Sequence, residues 1–362
     1  MSKRIGALDV LKSLVISVLA CHHYQWLLRG DYRFRLNLYD GAFYVGPLVE
    51  LFFLLSGFLA LRYKKQIEQG LSFRAFFLRR YLRLLPLCFL STLCYELLNR
   101  IYMYDSFRLT GVVQNLHATE SPDVWSTLAI AMGFGTGWGV PDTGVNCAMW
   151  YISVLLACYL LLYFATWLAG RLRVSPYTVY AGMVLLGLAL SYHSLETLPL
   201  LTSRNGRGMY SFFLGLLLAR ALEGRRPGRG LLLGSLAVVL GYVLAFCFSY
   251  PRALITPGYG YLAVFLVYPA LVILGTSAPA QKLFGGGWVR TMGSMSFSVY
   301  AWHLTGIVAL SILSDLFGFG DWLFSLRGML VFLLCMWVFA AFSHFCIEKP
   351  IARCTDRLLE KL

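Results

Sequence analysis

Charge is what this 362-residue sequence has least of. Only 13% of its residues are Asp, Glu, Lys or Arg, against roughly 25% in ordinary globular domains. A water-facing protein of this length cannot cover its surface with so few charges, and 59% hydrophobic content excludes intrinsic disorder. The nine cysteines form no CxxC or paired Cys/His spacing, which excludes a disulfide-stapled module and gives no sign of a metal site. Acidic residues are scarcer than basic ones, 17 against 31, for a net charge of +14. Such an excess could mark a nucleic-acid partner, but here the basic residues fall in short clusters between long apolar runs. That distribution belongs to a membrane protein, with the bilayer as partner and no nucleic acid.

A helix needs about 20 apolar residues to cross the hydrocarbon core. Ten stretches qualify, at about 6–28, 43–62, 80–101, 148–168, 177–193, 208–222, 231–249, 258–276, 293–313 and 325–347. The sixth is short and the eighth contains Pro269. The apolar patch at 124–134 is too short to cross and reads as re-entrant or interfacial. The first stretch carries Lys12, His22 and His23 and lacks a small-x-small site, so it reads as a span and not a cleaved leader. The expected fold is all-α and polytopic, with one transmembrane domain over 1–350 and a short cytoplasmic tail over 351–362. With the N-terminus inside, 22 of the 31 basic residues fall on the cytoplasmic side, giving +16 there and −2 outside. Both termini are therefore expected in the cytoplasm.

Polar residues at membrane depth are costly unless they pair or work. Lys12 and His23 are eleven residues apart, about 16 Å of helical rise and three turns, so they share a face. They describe a track from the membrane edge to its centre. A snorkelling lysine and a histidine bonded to a neighbouring helix would fit the spacing equally. Glu50, at the start of the second stretch, could accept from one imidazole nitrogen and free the other as a base, or simply sit in interfacial water. Ser56-Gly57 would let helices approach closely. Arg79, Arg80 and Arg83 form a basic cluster suited to phosphate, and equally to anchoring on anionic lipid. Tyr300 and His303 lie three apart in the ninth stretch, and His344 lies one turn before Glu348. The glycine-rich loops at Gly135, Gly137 and Gly139 and at Gly285 to Gly287 match no phosphate-binding fingerprint.

The order of these motifs is more specific than any one of them. LDVLKSLVISVLACHH at 8–23, LFFLLSGFLALRY at 51–63 and FFLRRYLRLLP at 76–86 are followed by MWYISVLLACYL at 149–160 and YSFFLGLLLAR at 210–220. SFSVYAWH at 296–303 and HFCIEKP at 344–350 complete the set. Over nearly its whole length the sequence resembles the acyltransferase 3 family of bacterial integral-membrane acyltransferases. The resemblance implies O-acyl transfer, usually of acetyl from cytoplasmic acetyl-CoA, to a hydroxyl of a cell-surface glycan or its lipid-linked precursor in the bacterial inner membrane. The acyl-CoA is a co-substrate and no metal is implied. The family's Arg and His, with ten residues between them in the first helix, fall at Lys12 and His23. His23 thereby inherits the catalytic role, with Glu50 beside it. Lys12, Arg79, Arg80 and Arg83 are expected at the CoA phosphates. His22, Trp150, Tyr300 and His303 are expected along the substrate path. Leu155 and Leu156 stand where many members carry Glu after the Trp, so no carboxylate role is expected there. The stand-alone form, without a hydrolase-like domain, is expected. Loops 29–42 and 101–146 are the expected glycan contacts. A transporter of a glycan intermediate or small solute is the rival reading, and would show matched broken helices in two halves.

Overall fold

The computed structural model describes residues 5–28, 38, 45–103, 124–141, 145–248 and 257–359. The expected glycan-contact loops fall largely outside these residues, as do Lys3, Arg4 and the end of the tail.

Helix is the only regular secondary structure among the described residues, with no strand among them. The helices are α1 (Gly6–Leu27), α2 (Leu48–Glu68), α3 (Phe73–Met103), α4 (Val124–Ala131), α5 (Trp150–Leu172), α6 (Pro176–Tyr192), α7 (Ser203–Ala221) and α8 (Arg229–Phe248). They continue as α9 (Pro257–Leu262), α10 (Tyr268–Thr276), α11 (Ala278–Leu283), α12 (Gly287–Phe317), α13 (Gly320–Leu323), α14 (Leu326–Ser343) and α15 (Lys349–Leu359). Each of the ten apolar stretches read from the sequence is mainly helical over its described residues. Five helical segments are long and apolar enough to cross a membrane: Gly6–Leu27, Phe73–Ile101, Cys147–Leu172, Gly287–Phe317 and Leu326–Arg357. Pro176–Tyr192, Arg229–Ala245 and Gly260–Thr276 are apolar but shorter. Large apolar side chains such as Leu185, Leu233, Leu334 and Val338 are exposed on their helices, the surface a protein presents to lipid. The fold is that of an all-α polytopic membrane protein. The patch at 124–134 forms only the eight residues of α4, too few to cross.

Local chemistry sets the helix ends. Thr202 Oγ1 accepts from the Asn205 amide at the start of α7, and Ser325 Oγ accepts from the Gly328 amide at the start of α14. Pro176 opens α6, where a missing N–H costs nothing. α2 stops at Gly70, whose φ of +93° lets its amide bond the Ile67 carbonyl while Leu71 bonds that of Gln66. Two π-helical turns, Ala263–Val267 and His344–Glu348, each end two residues before a proline, Pro269 and Pro350. A proline ring displaces the carbonyl four residues earlier and removes its amide partner, and widening the preceding turn accommodates both effects. Pro269 therefore widens its helix and leaves it continuous.

The chain forms two compact units that interleave in sequence: Met1–Leu14, Pro47–Leu78 and Val154–Ser294 make one, and Val15–Gly46, Arg79–Ser153 and Met295–Leu362 the other. In the first unit α7 packs against α2 and α6 at glycines. A Cβ on Gly57 would lie 1.8 Å from the Phe212 carbonyl oxygen, and one on Gly215 would lie 2.1 Å from that of Leu54. Gly187 and Gly206 make the matching approach between α6 and α7. With no hydrophobic drive between helices in lipid, such backbone proximity supplies the van der Waals contact that holds them. The second unit uses polar clasps. Tyr24 Oη donates to the Leu323 carbonyl at 2.7 Å, Trp337 Nε1 to Ser17 Oγ at 3.0 Å, and Trp302 Nε1 to Ser343 Oγ at 2.9 Å.

Gly57→Val should lower the thermal midpoint of detergent-solubilised protein by an amount corresponding to at least about 2 kcal/mol, because backbone must move. Gly182→Ala, with open space around it, should leave the midpoint unchanged or slightly raised. Equal midpoints for the two variants would contradict the close α2–α7 contact.

Candidate active site

The second unit brings together two histidines that are 280 residues apart in sequence. His23 lies on α1 and is half-buried, and His303 lies on α12 with no exposure. His23 Nδ1 and His303 Nε2 are 2.9 Å apart, and His303 Nδ1 is 2.7 Å from the Tyr300 carbonyl oxygen. A carbonyl oxygen only accepts, so His303 Nδ1 carries the proton. In the neutral ring His303 Nε2 is then an acceptor, and His23 Nδ1 must donate to it. The proton on neutral His23 is thereby assigned to Nδ1, which leaves its Nε2 a lone pair. An imidazole with one nitrogen donating into a fixed acceptor and the other unprotonated is arranged as a general base or a nucleophile.

The surroundings hold this pair in place. The His22 ring meets that of His23 edge-on at 5.0 Å, and Trp26 meets it edge-on at 6.0 Å. His22 Nδ1 donates to the Leu38 carbonyl at 2.7 Å, and Gln25 Oε1 accepts from the Leu38 amide. His22 thus clasps residue 38, while its neighbour takes the ring partner on α12. Tyr300 Oη donates to the Ala148 carbonyl in the 3₁₀ turn Cys147–Met149, and its ring packs edge-on against Tyr151. Trp150, half-buried, opens α5 beside that turn. Below the pair on α12, Ser298 Oγ donates to Glu348 Oε2 at 3.0 Å, and His344 Nδ1 meets the same oxygen at 2.7 Å. The π turn is where these two motif residues close on each other.

The other expected residues divide. Arg79 and Arg83 are both exposed, one turn apart on a single face of α3, whereas Arg80 is half-buried beside them. Arg79 and Arg83 are thus the more accessible two of the three. Lys12 is half-buried, and its Nζ lies 3.6 Å from Oδ1 of the buried Asp9, three residues earlier. In the first unit the Glu50 carboxylate is held by a residue that the sequence reading passed over: Arg207 Nε donates to Oε1 at 2.6 Å, and Tyr210 Oη lies 3.4 Å from it. The ring partner of His23 is His303, and the partner of Glu50 is Arg207. An arginine so near the start of an apolar stretch does call for a carboxylate, and that is the signal that could have found it. Among the described residues no group of three or more His, Cys, Asp and Glu could hold a metal ion.

An all-helical membrane protein with a tautomer-fixed histidine pair is the class that fold and site define. The chain matches the acyltransferase domain family over residues 5–342, nearly its whole length. It belongs to the acyltransferase 3 family and is a membrane acyltransferase. No curated protein and no solved structure gives a significant match.

Removing one member of a buried ion pair strands the other. Glu50→Ala should therefore destabilise the protein by about 2 kcal/mol, the half-exposure of Arg207 keeping the loss at the low end. Glu50→Ala combined with Arg207→Met should recover part of that loss in thermal unfolding. Additive losses in the double variant would show that the two side chains do not interact.

Proposed function

We propose that this protein is a bacterial inner-membrane O-acyltransferase that uses cytoplasmic acyl-CoA, acetyl-CoA first, to acylate a hydroxyl of a cell-surface glycan or its lipid-linked precursor. The single observation that carries the mechanism is the hydrogen bond from His23 to His303. With its Nδ1 proton committed, His23 Nε2 takes the proton of the acceptor hydroxyl as that oxygen attacks the thioester carbonyl carbon. The carbon–sulfur bond then breaks, and the imidazolium returns the proton to the departing thiolate. His303 is a positioning residue here: it accepts from His23 Nδ1 throughout and steadies the imidazolium through the Tyr300 carbonyl. A two-step route, in which Nε2 first takes the acyl group and then passes it to the hydroxyl, uses the same free nitrogen.

Arg79, Arg80 and Arg83 on α3, together with Lys12 on α1, are the residues that take the phosphates of CoA, and the exposed Arg79 and Arg83 are the most accessible of them. The basic bias of +16 against −2 supports ten spans with both termini in the cytoplasm, which puts the arginine cluster on the side where acyl-CoA is found. In this reading α2 and α7 are two of the ten spans, held together at their glycines and with the Glu50–Arg207 pair balancing part of their charge. Trp150, Tyr300 and His22 line the approach in this reading, and no metal takes part.

Acetyl transfer by membranes or purified protein decides the question. His23→Ala should lower the rate at least about 100-fold with CoA binding retained. His303→Leu should lower it less and shift the pH profile, whereas His303→Gln, whose carbonyl can still accept from His23 Nδ1, should recover part of the rate. Wild-type activity in His23→Ala would sink the proposal.

A further inference from the structure

α3 carries a set of polar atoms that the reaction as described does not use. Beyond Pro86 its buried face includes Thr92, Glu96 and Asn99, at i, i+4 and i+7, so the three lie on one side of the helix along about 10 Å. Each is at least nine-tenths buried: Thr92 is 0% exposed, Glu96 6% and Asn99 7%. Each also holds a sealed oxygen with no hydrogen-bond partner: Thr92 Oγ1, Glu96 Oε2 and Asn99 Oδ1. An unmet buried oxygen costs about 1–3 kcal/mol, and three in a row on one face is more than packing needs to tolerate.

Position ties this stripe to the histidine pair. Thr305 Oγ1, two residues after His303, donates to the carbonyl of Ser91 at 3.1 Å. The stripe starts at the next residue of α3 and runs on away from Arg79 and Arg83. The second unit contains all of these residues.

Its chemistry narrows the ligand. A carboxylate and an amide oxygen accept only, and a hydroxyl can also accept, so the occupant must bring hydrogen-bond donors. The other oxygen of Glu96 is already held by Arg100 Nε at 2.7 Å, so the carboxylate is charge-balanced and does not ask for a cation. Donors without charge, spaced over several ångströms, describe a neutral, hydroxyl-rich group.

We propose that Thr92, Glu96 and Asn99 form the subsite that binds the hydroxyl-bearing acceptor through several of its hydroxyls. The stripe holds them beside α12 so that one remaining hydroxyl meets His23 Nε2. Its role as an acceptor subsite rests on the acyl-transfer reading, while its affinity for polyhydroxyl groups does not.

The test uses full-length protein in nanodiscs and a panel of methyl hexopyranosides, with binding read by saturation-transfer NMR. Thr92→Val and Asn99→Leu remove the acceptors at similar volume, and each should weaken hexoside binding about five- to tenfold. Thr92→Ser, which keeps the hydroxyl, should stay within about twofold of wild type. Retained thermal midpoints show that the variants fold. Displacement of the hexoside by phosphatidylglycerol would name a lipid headgroup as the source of the hydroxyls. Equal hexoside binding in wild type and the two apolar variants would overturn the proposal, as would no binding by wild type. Acetyl-CoA turnover by wild type is measured in parallel. Hexoside binding without turnover would refute the acyl-transfer reading and leave the stripe standing, and turnover without hexoside binding would do the reverse.

Discussion

A backbone carbonyl can only accept a hydrogen bond, and the carbonyl of Tyr300 accepts from His303. The site's chemistry follows from that one constraint. It fixes the proton on His303 Nδ1, turns Nε2 toward His23 as an acceptor, and so places the proton of His23 on Nδ1. The unprotonated Nε2 of His23, the base of the proposed mechanism, is the last link of a chain that starts at the backbone of α12. The same helix turn supplies Tyr300 Oη to the Ala148 carbonyl, so the constraint is anchored on the 3₁₀ turn before α5 as well. In a protein surrounded by hydrocarbon such bonds have no competitor in bulk water, so each one made is correspondingly firm.

The two units meet the same demand differently. The first relies on backbone proximity, with Gly57, Gly187, Gly206 and Gly215 letting α2, α6 and α7 touch, and it pairs the buried Glu50 with the half-exposed Arg207. The second relies on indole, phenol and hydroxyl donors reaching across helices, and it holds the histidines. The proposed mechanism draws on such clasps, since a base out of place by about 1 Å can cost about 100-fold in rate.

The sequence made the helices legible because hydrocarbon imposes a length and a composition on anything that crosses it, and each of the ten apolar stretches is mainly helical over its described residues. Pro269 marked a real irregularity, resolved as a π turn. The caps at Thr202 and Ser325 and the stop at Gly70 follow ordinary local rules. His23 was legible as a polar residue at depth. Its partner was not, because nothing local in SFSVYAWH says that residue 303 meets residue 23. The same holds for Glu50 and Arg207, 157 positions apart. The pairing of Asp9 with Lys12 is readable from its i, i+3 spacing alone, and it changes Lys12 from a lone cation into half of an ion pair. The shared face of Arg79 and Arg83 is readable from their i, i+4 spacing, and the exposure of both agrees with it.

The central claim concerns the position of one proton. Solid-state or solution ¹⁵N NMR on protein with labelled histidine, assigned with His23→Ala and His303→Ala, reads that position directly. The account predicts that neutral His23 and His303 both carry the proton on Nδ1, with coupling between His23 Nδ1–H and His303 Nε2. A proton on Nε2 of neutral His23 would leave no free base at the site and would contradict it.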